Sequence, residues 1–193
     1  MSTIASALRT WATQEVVRDR RARSALWIAA FVLAMAFGAQ VAVPVPLTHV
    51  PMTLEVLFVI LAGAVLGPWL GASAMAAYLA IGAAGAPIFA GGGAGLPWLM
   101  GPTGGYLVAM PAAAFLTGWI AGRNSGSWRL LAGLVVGVLT IYAGGVSQLF
   151  ILTRQEPATL LSVGVLPFLV ADATKVLVAL LLARMIRTKS LGA

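Results

Sequence analysis

The chain contains no cysteine. That excludes disulfides, thiolate metal sites and a cysteine nucleophile, and it leaves the redox compartment unspecified. Charge is scarce as well. Asp, Glu, Lys and Arg together make up 9% of the 193 residues, against about 25% in a soluble domain. With 61% apolar residues, the chain has too little polar surface to cover a water-soluble globule. A soluble globular enzyme is excluded on that ground. Disorder is excluded too, because disordered chains are poor in apolar residues. There is one histidine, and no set of residues has metal-ligand spacing. No G-x-x-x-x-G-K-[ST] phosphate loop occurs, so no ATPase is visible in the chain.

What remains suits lipid. No Asp, Glu, Lys or Arg occurs from Val56 to Gly122, a stretch over three times the ~20 residues of one membrane helix. Only helices and closed barrels satisfy their backbone groups in lipid. Barrel strands would alternate apolar and polar residues, whereas the runs here are unbroken, which predicts helices. Proline and glycine divide the runs into six spans at about 25–43, 54–66, 70–84, 105–121, 130–152 and 166–186. The expected fold class is all-α: a polytopic membrane protein built as a bundle of six transmembrane helices. A basic segment (1–24) precedes the membrane domain (25–186), and a short tail (187–193) follows it.

The net charge of +7 is informative through its placement. Arg9, Arg18, Arg20, Arg21 and Arg23 precede the first span. Arg123 and Arg129 separate the fourth from the fifth, and Arg184, Arg187 and Lys189 follow the sixth. Six spans with both termini in the cytoplasm put all of these inside, as basic loops prefer. Five or seven spans would strand the C-terminal cluster. No secretory signal peptide is visible, since the first 23 residues are too charged. Ile4, Leu8 and Trp11 share a helical face, which fits either an interfacial helix or a solvated tail.

The expected outer connections hold most of the unusual residues. Half of the residues in 86–105 are Gly or Pro, which predicts no regular element there. Long structured loops often act as lids or binding loops, and Phe89, Leu96, Trp98 and Met100 give this one apolar anchors. It reads either as a loop folded over a small ligand or as a re-entrant packing loop. In the last span, Asp172 and Lys175 are three apart and share a face. Counted from Leu166, they lie about 9–14 Å along the helix. Each charge at mid-membrane costs about 2.5–3.5 kcal/mol. Pairing offsets that cost, but apolar residues would avoid it, so the pair is a functional-site candidate. The ammonium suits a ligand carboxylate and the carboxylate suits N–H donors. Gln40, Thr48, His49, Thr53, Glu55, Thr103, Tyr106, Ser147 and Gln148 fall at the same level. Glu55 also reads as a snorkelling residue or as a favourable helix N-terminal charge, and His49 as a loop hydrogen bonder. Ala25, Ala29, Ala30 and Ala34 form a small-residue stripe, fit either for docking another membrane protein or for internal packing.

Several segments together resemble the BioY family: 51–68 (PMTLEVLFVILAGAVLGP), 78–92 (YLAIGAAGAPIFAGG), 101–106 (GPTGGY) and the Asp172/Lys175 pair. The resemblance covers about 25–186. Gly85-Ala-Pro-Ile-Phe89 departs mildly from the family's usual Gly-Leu-Pro-Val-Phe. The resemblance implies the substrate-binding S component of an energy-coupling factor (ECF) biotin transporter in the bacterial cytoplasmic membrane. It implies biotin as transported ligand, no cofactor, and as partners a transmembrane coupling protein and ATPase subunits. Asp172 and Lys175 carry over as substrate-binding residues. Tyr78, Phe89, Gly91, Gly92, Trp98, Thr103, Gly104, Tyr106 and Gln148 are further binding candidates, and Ala25, Ala29 and Ala34 match the family's docking stripe. Which end of biotin meets Asp172 and which Lys175 stays open. Two rivals are an intramembrane enzyme using the pair as acid and base, and a self-sufficient secondary transporter. The first lacks an accompanying nucleophile and oxyanion arrangement. The second lacks a convincing internal repeat.

Overall fold

A computed structural model describes residues 19–46, 48, 50–122 and 126–191. His49, Arg123 and the N-terminal residues Ile4, Leu8, Arg9, Trp11 and Arg18 lie outside the described residues. The regular elements among the described residues are helical, apart from two isolated β-bridges. In chain order they are α1 (Arg20–Gln40), α2 (Glu55–Leu66), α3 (Pro68–Ala83), α4 (Leu96–Met100), α5 (Gly104–Ala121), α6 (Ser127–Thr153), α7 (Pro157–Gly164) and α8 (Leu169–Leu191). Among the described residues, four helical stretches are long and apolar enough to cross a membrane. They are Arg20–Gln40, Gly104–Ala121, Ser127–Thr153 and Pro157–Arg187; α2 and α3 are apolar but shorter.

Local chemistry explains the boundaries. Asp19 caps α1, its Oδ1 accepting from the Arg21 amide at 2.8 Å. Gly67 separates α2 from α3 with φ 86°, a conformation open to glycine, and Pro68 starts α3 where its missing N–H costs nothing. Two expected loops contain helix. In 86–105, the Ala90–Gly92 turn and α4 form because Gly91 and Gly92 supply positive φ and Pro97 lies in the first turn of α4. Beyond Arg154, Pro157 opens α7 instead of a coil. A short turn at Leu166–Phe168 then delays α8 to Leu169, three residues later than the apolar run suggests.

The buried core centres on α2, with Val59, Ile60 and Ala62 fully enclosed. Close approach of α5 and α6 depends on glycine. A methyl group on Gly105 would overlap the Gly144 carbonyl, and one on Gly145 would enter the Tyr106 ring. Small residues permit such approach where lipid supplies no hydrophobic drive between helices. At the opposite end from the long loops, Arg187 of α8 donates from Nη2 (2.6 Å) and Nε (3.2 Å) to the carbonyl of Ala64. This satisfies a carbonyl that the end of α2 leaves without a helical partner.

A Gly145→Val change is expected to displace Tyr106 and cost about 1–3 kcal/mol through overpacking. The check is the thermal unfolding midpoint in detergent, with Gly126→Val as control. Gly126 faces open space, and its substitution should leave the midpoint unchanged.

Candidate ligand-binding site

Asp172 occupies the first turn of α8. The pair therefore lies about 4.5–9 Å from the start of α8, which begins three residues after Leu166. Lys175 Nζ donates to Asp172 Oδ1 at 2.6 Å, with both side chains under one-tenth exposed. The hydroxyl of Tyr142, on α6, donates to the other oxygen, Oδ2, at 2.6 Å. The carboxylate is thus held by one charge-assisted and one neutral hydrogen bond. An ammonium has three donors. One engages Asp172, and no partner for the other two occurs among the described residues.

A second polar cluster stands at the start of α2. Glu55, 4% exposed, accepts from Tyr78 OH on Oε1 (2.8 Å) and from Thr53 Oγ1 on Oε2 (2.9 Å). Thr53 Oγ1 in turn accepts from the Glu55 amide at 3.3 Å. Both clusters line one cavity. Its apolar wall comes from Val56, Leu107, Met110, Ile141 and Phe168, and Val50, Pro51 and Met52 line it from the preceding loop. Apolar walls with a few convergent polar groups are the usual make-up of a small-molecule site. A second depression, lined by Pro44, Thr48, Gly91 and Pro97 among others, lies beside it, and Pro51, Ala90, Trp98 and Thr103 line both. The Trp98 indole N–H is buried and has no acceptor among the described residues.

Of the residues singled out in the sequence, Asp172, Lys175, Thr53, Glu55, Trp98, Thr103 and Tyr106 line the cavity. Gly91 and Thr48 line the neighbouring depression. Tyr78 stands behind Glu55, and Phe89, fully buried, meets Tyr78 edge-to-face at 5.4 Å. Gly92 closes the turn by donating its amide to Phe89 O at 3.0 Å. Gly104 packs beneath the Leu99 carbonyl, where a side chain would not fit. Gln148 donates from Nε2 to Leu99 O (2.9 Å) and Gly101 O (2.6 Å), and Gln40 donates to Phe89 O at 3.1 Å. The two glutamines hold the long loop to α6 and α1. Ser147 is exposed. Along α1, Ala25 and Ala29 are exposed and Ala34 is half-buried.

Sequence reasoning missed Tyr142 and Phe168 and left Glu55 outside the binding set. Tyr142, Gly145 and Leu149 are all buried on α6 at i, i+3, i+7 spacing, so the inward stripe was the available signal. Among the described residues, no three His, Asp or Glu side chains are grouped to hold a metal ion.

The BioY family profile matches residues 9–191. The chain belongs to the BioY family. It is 42% identical over 163 residues to the "Probable biotin transporter BioY" of Pyrococcus horikoshii, covering 84% of this chain and 95% of that protein. It is also 42% identical over 142 residues to the "Biotin transporter BioY" of Thermotoga maritima, covering 73% and 83% respectively. In fold it resembles a crystal structure of the S-component for biotin from an ECF-type ABC transporter. That likeness has a TM-score of 0.80 at 23% identity, over 89% of this chain and 94% of the other. With its apolar helices, this BioY member is a membrane protein.

Gln148→Ala should free the Leu99 and Gly101 carbonyls. Losing these bonds, at about 0.5–1.5 kcal/mol each, should speed amide exchange in 96–103 by roughly tenfold or more. Hydrogen–deuterium exchange of the detergent-solubilised protein is the check.

Proposed function

We propose that this chain captures biotin and carries it into the cell as the S component of an ECF transporter. The observation that carries the reading is Lys175: a buried ammonium with two unengaged donors, held by Asp172 and Tyr142 at the wall of an apolar cavity. The relatives named as biotin transporters supply the ligand. Biotin's carboxylate meets Lys175 and its ring system lies against Trp98, Tyr106 and Phe168. Thr103 and Gly91 border the entry. Tyr78, Phe89, Gly92, Gly104 and Gln148 shape the loop and wall from behind. The naming of the relatives as transporters weighs against an acid–base enzyme.

The same reading makes the fold a six-span bundle of α1, α2, α3, α5, α6 and the α7–α8 stretch. Its long-loop end faces outward, and both termini lie in the cytoplasm of a bacterial cell with the bundle in the inner membrane. The arginines at the starts of α1 and α6 and near the end of α8 support this orientation. With 12 and 16 residues, α2 and α3 reach only about 18 and 24 Å. They fall short of the ~30 Å hydrocarbon core, and the surrounding helices or a thinned bilayer make up the difference. The exposed Ala25 and Ala29, with Ala34, form the docking stripe for the coupling protein, which links the chain to ATPase subunits.

Lys175→Ala should weaken biotin binding about 10- to 150-fold, the worth of hydrogen bonds to a charged group. Titration calorimetry with biotin and its methyl ester reads this. The wild type should prefer the free acid, and the variant should lose that preference. Binding within twofold of the wild type would count against the reading.

Replacing Ala25 and Ala29 by leucine should leave biotin binding unchanged while uptake by cells supplying the partner subunits falls at least tenfold. Uptake assays beside binding by the purified variant separate the two effects. Unimpaired uptake would remove the docking role.

A further inference from the structure

Glu55 raises a problem that the reading above does not use. Its carboxylate is 4% exposed and lines the cavity, yet no cation lies within ion-pair distance of it among the described residues. Asp172, by contrast, has its charge balanced by Lys175 at 2.6 Å. Two residues hold the α2 residue Glu55 at the wall: Thr53 from the loop and Tyr78 from α3. A structural link between α2 and α3 could be made without burying a charge, since an apolar residue there would avoid the desolvation penalty. Each Glu55 oxygen accepts one hydrogen bond from the protein. A carboxylate offers about four acceptor sites, so half remain for something in the cavity. Glu55 also lies in the first turn of α2, at the positive end of that helix's dipole.

We propose that Glu55 is the second polar pole of the cavity, its carboxylate receiving the N–H donors of the ligand's cyclic urea while Lys175 holds the ligand's carboxylate. The proposal rests on the biotin reading and deepens it. On this assignment the two poles come from different helices, α2 and α8. Asp172 becomes the residue that positions Lys175, and Glu55 the one that discriminates the ring. Tyr78 and Thr53 act through Glu55 by fixing its two oxygens. Ligands with the same acid chain but a ring lacking N–H groups would leave the Glu55 oxygens unmatched and be rejected.

The test is a ratio. Biotin and 2-iminobiotin differ in that the second replaces the urea oxygen with nitrogen and carries a guanidinium at neutral pH, which a carboxylate favours as it does arginine. Calorimetric titration of the full-length protein in detergent gives the ratio of the two dissociation constants for wild type, Glu55→Gln and Asp172→Asn. Glu55→Gln preserves shape while removing the charge and one of the two acceptor oxygens, and a ratio taken within one variant cancels any loss of folded fraction. The expected result is that Glu55→Gln shifts the ratio against 2-iminobiotin by at least fivefold, while Asp172→Asn shifts it less. A shift below fivefold in Glu55→Gln, or one as large in Asp172→Asn, overturns the proposal while leaving biotin binding standing. Failure of the wild type to bind biotin overturns the underlying reading, and this proposal with it.

Discussion

A charge below a lipid-embedded surface persists only beside an opposite charge or enough donors, and the Asp172–Lys175 contact meets that condition at 2.6 Å. Much of the surrounding architecture serves it. Tyr142 completes the carboxylate from α6. The register of α6 follows from its close packing on α5, where Gly144 and Gly145 admit the α5 backbone and the Tyr106 ring. Tyr106 in turn donates to the Gly164 carbonyl at the end of α7 at 2.7 Å, just ahead of the turn that starts α8. The ion pair is thus tied by a short circuit of contacts, α8 to α6 to α5 to α7 and back to α8. A change in any one of these helices reaches the pair within two or three contacts.

The sequence made the coarse plan legible because its physics is local. Unbroken apolar runs can only be helices in lipid, and Gly67-Pro68 and Pro44 mark their ends without help from tertiary structure. The spacing of Asp172 and Lys175 is likewise a property of one helix. Tyr142 and Glu55 were harder because their roles depend on how one helix is rotated against another, which no single run encodes. Glu55 looks like an ordinary first-turn carboxylate until Tyr78, 23 residues away, is brought to its oxygen.

The Gly- and Pro-rich stretch misled for a different reason. Its composition reads as irregular chain, yet α4 and the Ala90–Gly92 turn form there. Such a segment has little side chain with which to anchor itself, so its hold comes from elsewhere: Gln40 of α1 and Gln148 of α6 reach its carbonyls across 47 to 49 residues of sequence. Gly92, Gly104 and Gln148, candidates for ligand contact from the sequence, take part in this fastening. At Gly93 and Gly104 the glycine admits the Trp98 ring and the Leu99 carbonyl, whereas at Gly91 and Gly92 it serves positive φ.

The two loops bordering the cavity are therefore held unequally. The 84–103 loop is fixed by both glutamines, by the Phe89–Gly93 bridge, and by the Gly95 amide donating to Gly82 O at 2.8 Å. The 41–54 loop has its Val43–Met52 bridge and the Leu54 amide on Gly38 O, both close to its ends. Between them, the described backbone ties are short-range, Thr48 with Val45 and Val50. Pro51, Ala90, Trp98 and Thr103 form the wall shared by the cavity and the neighbouring depression. Ala90, Trp98 and Thr103 sit on or beside the segment that the glutamines hold, and Pro51 sits next to the Val43–Met52 bridge. The glycine-rich side of the site is thus held from two helices, the reverse of what residue flexibility alone would suggest.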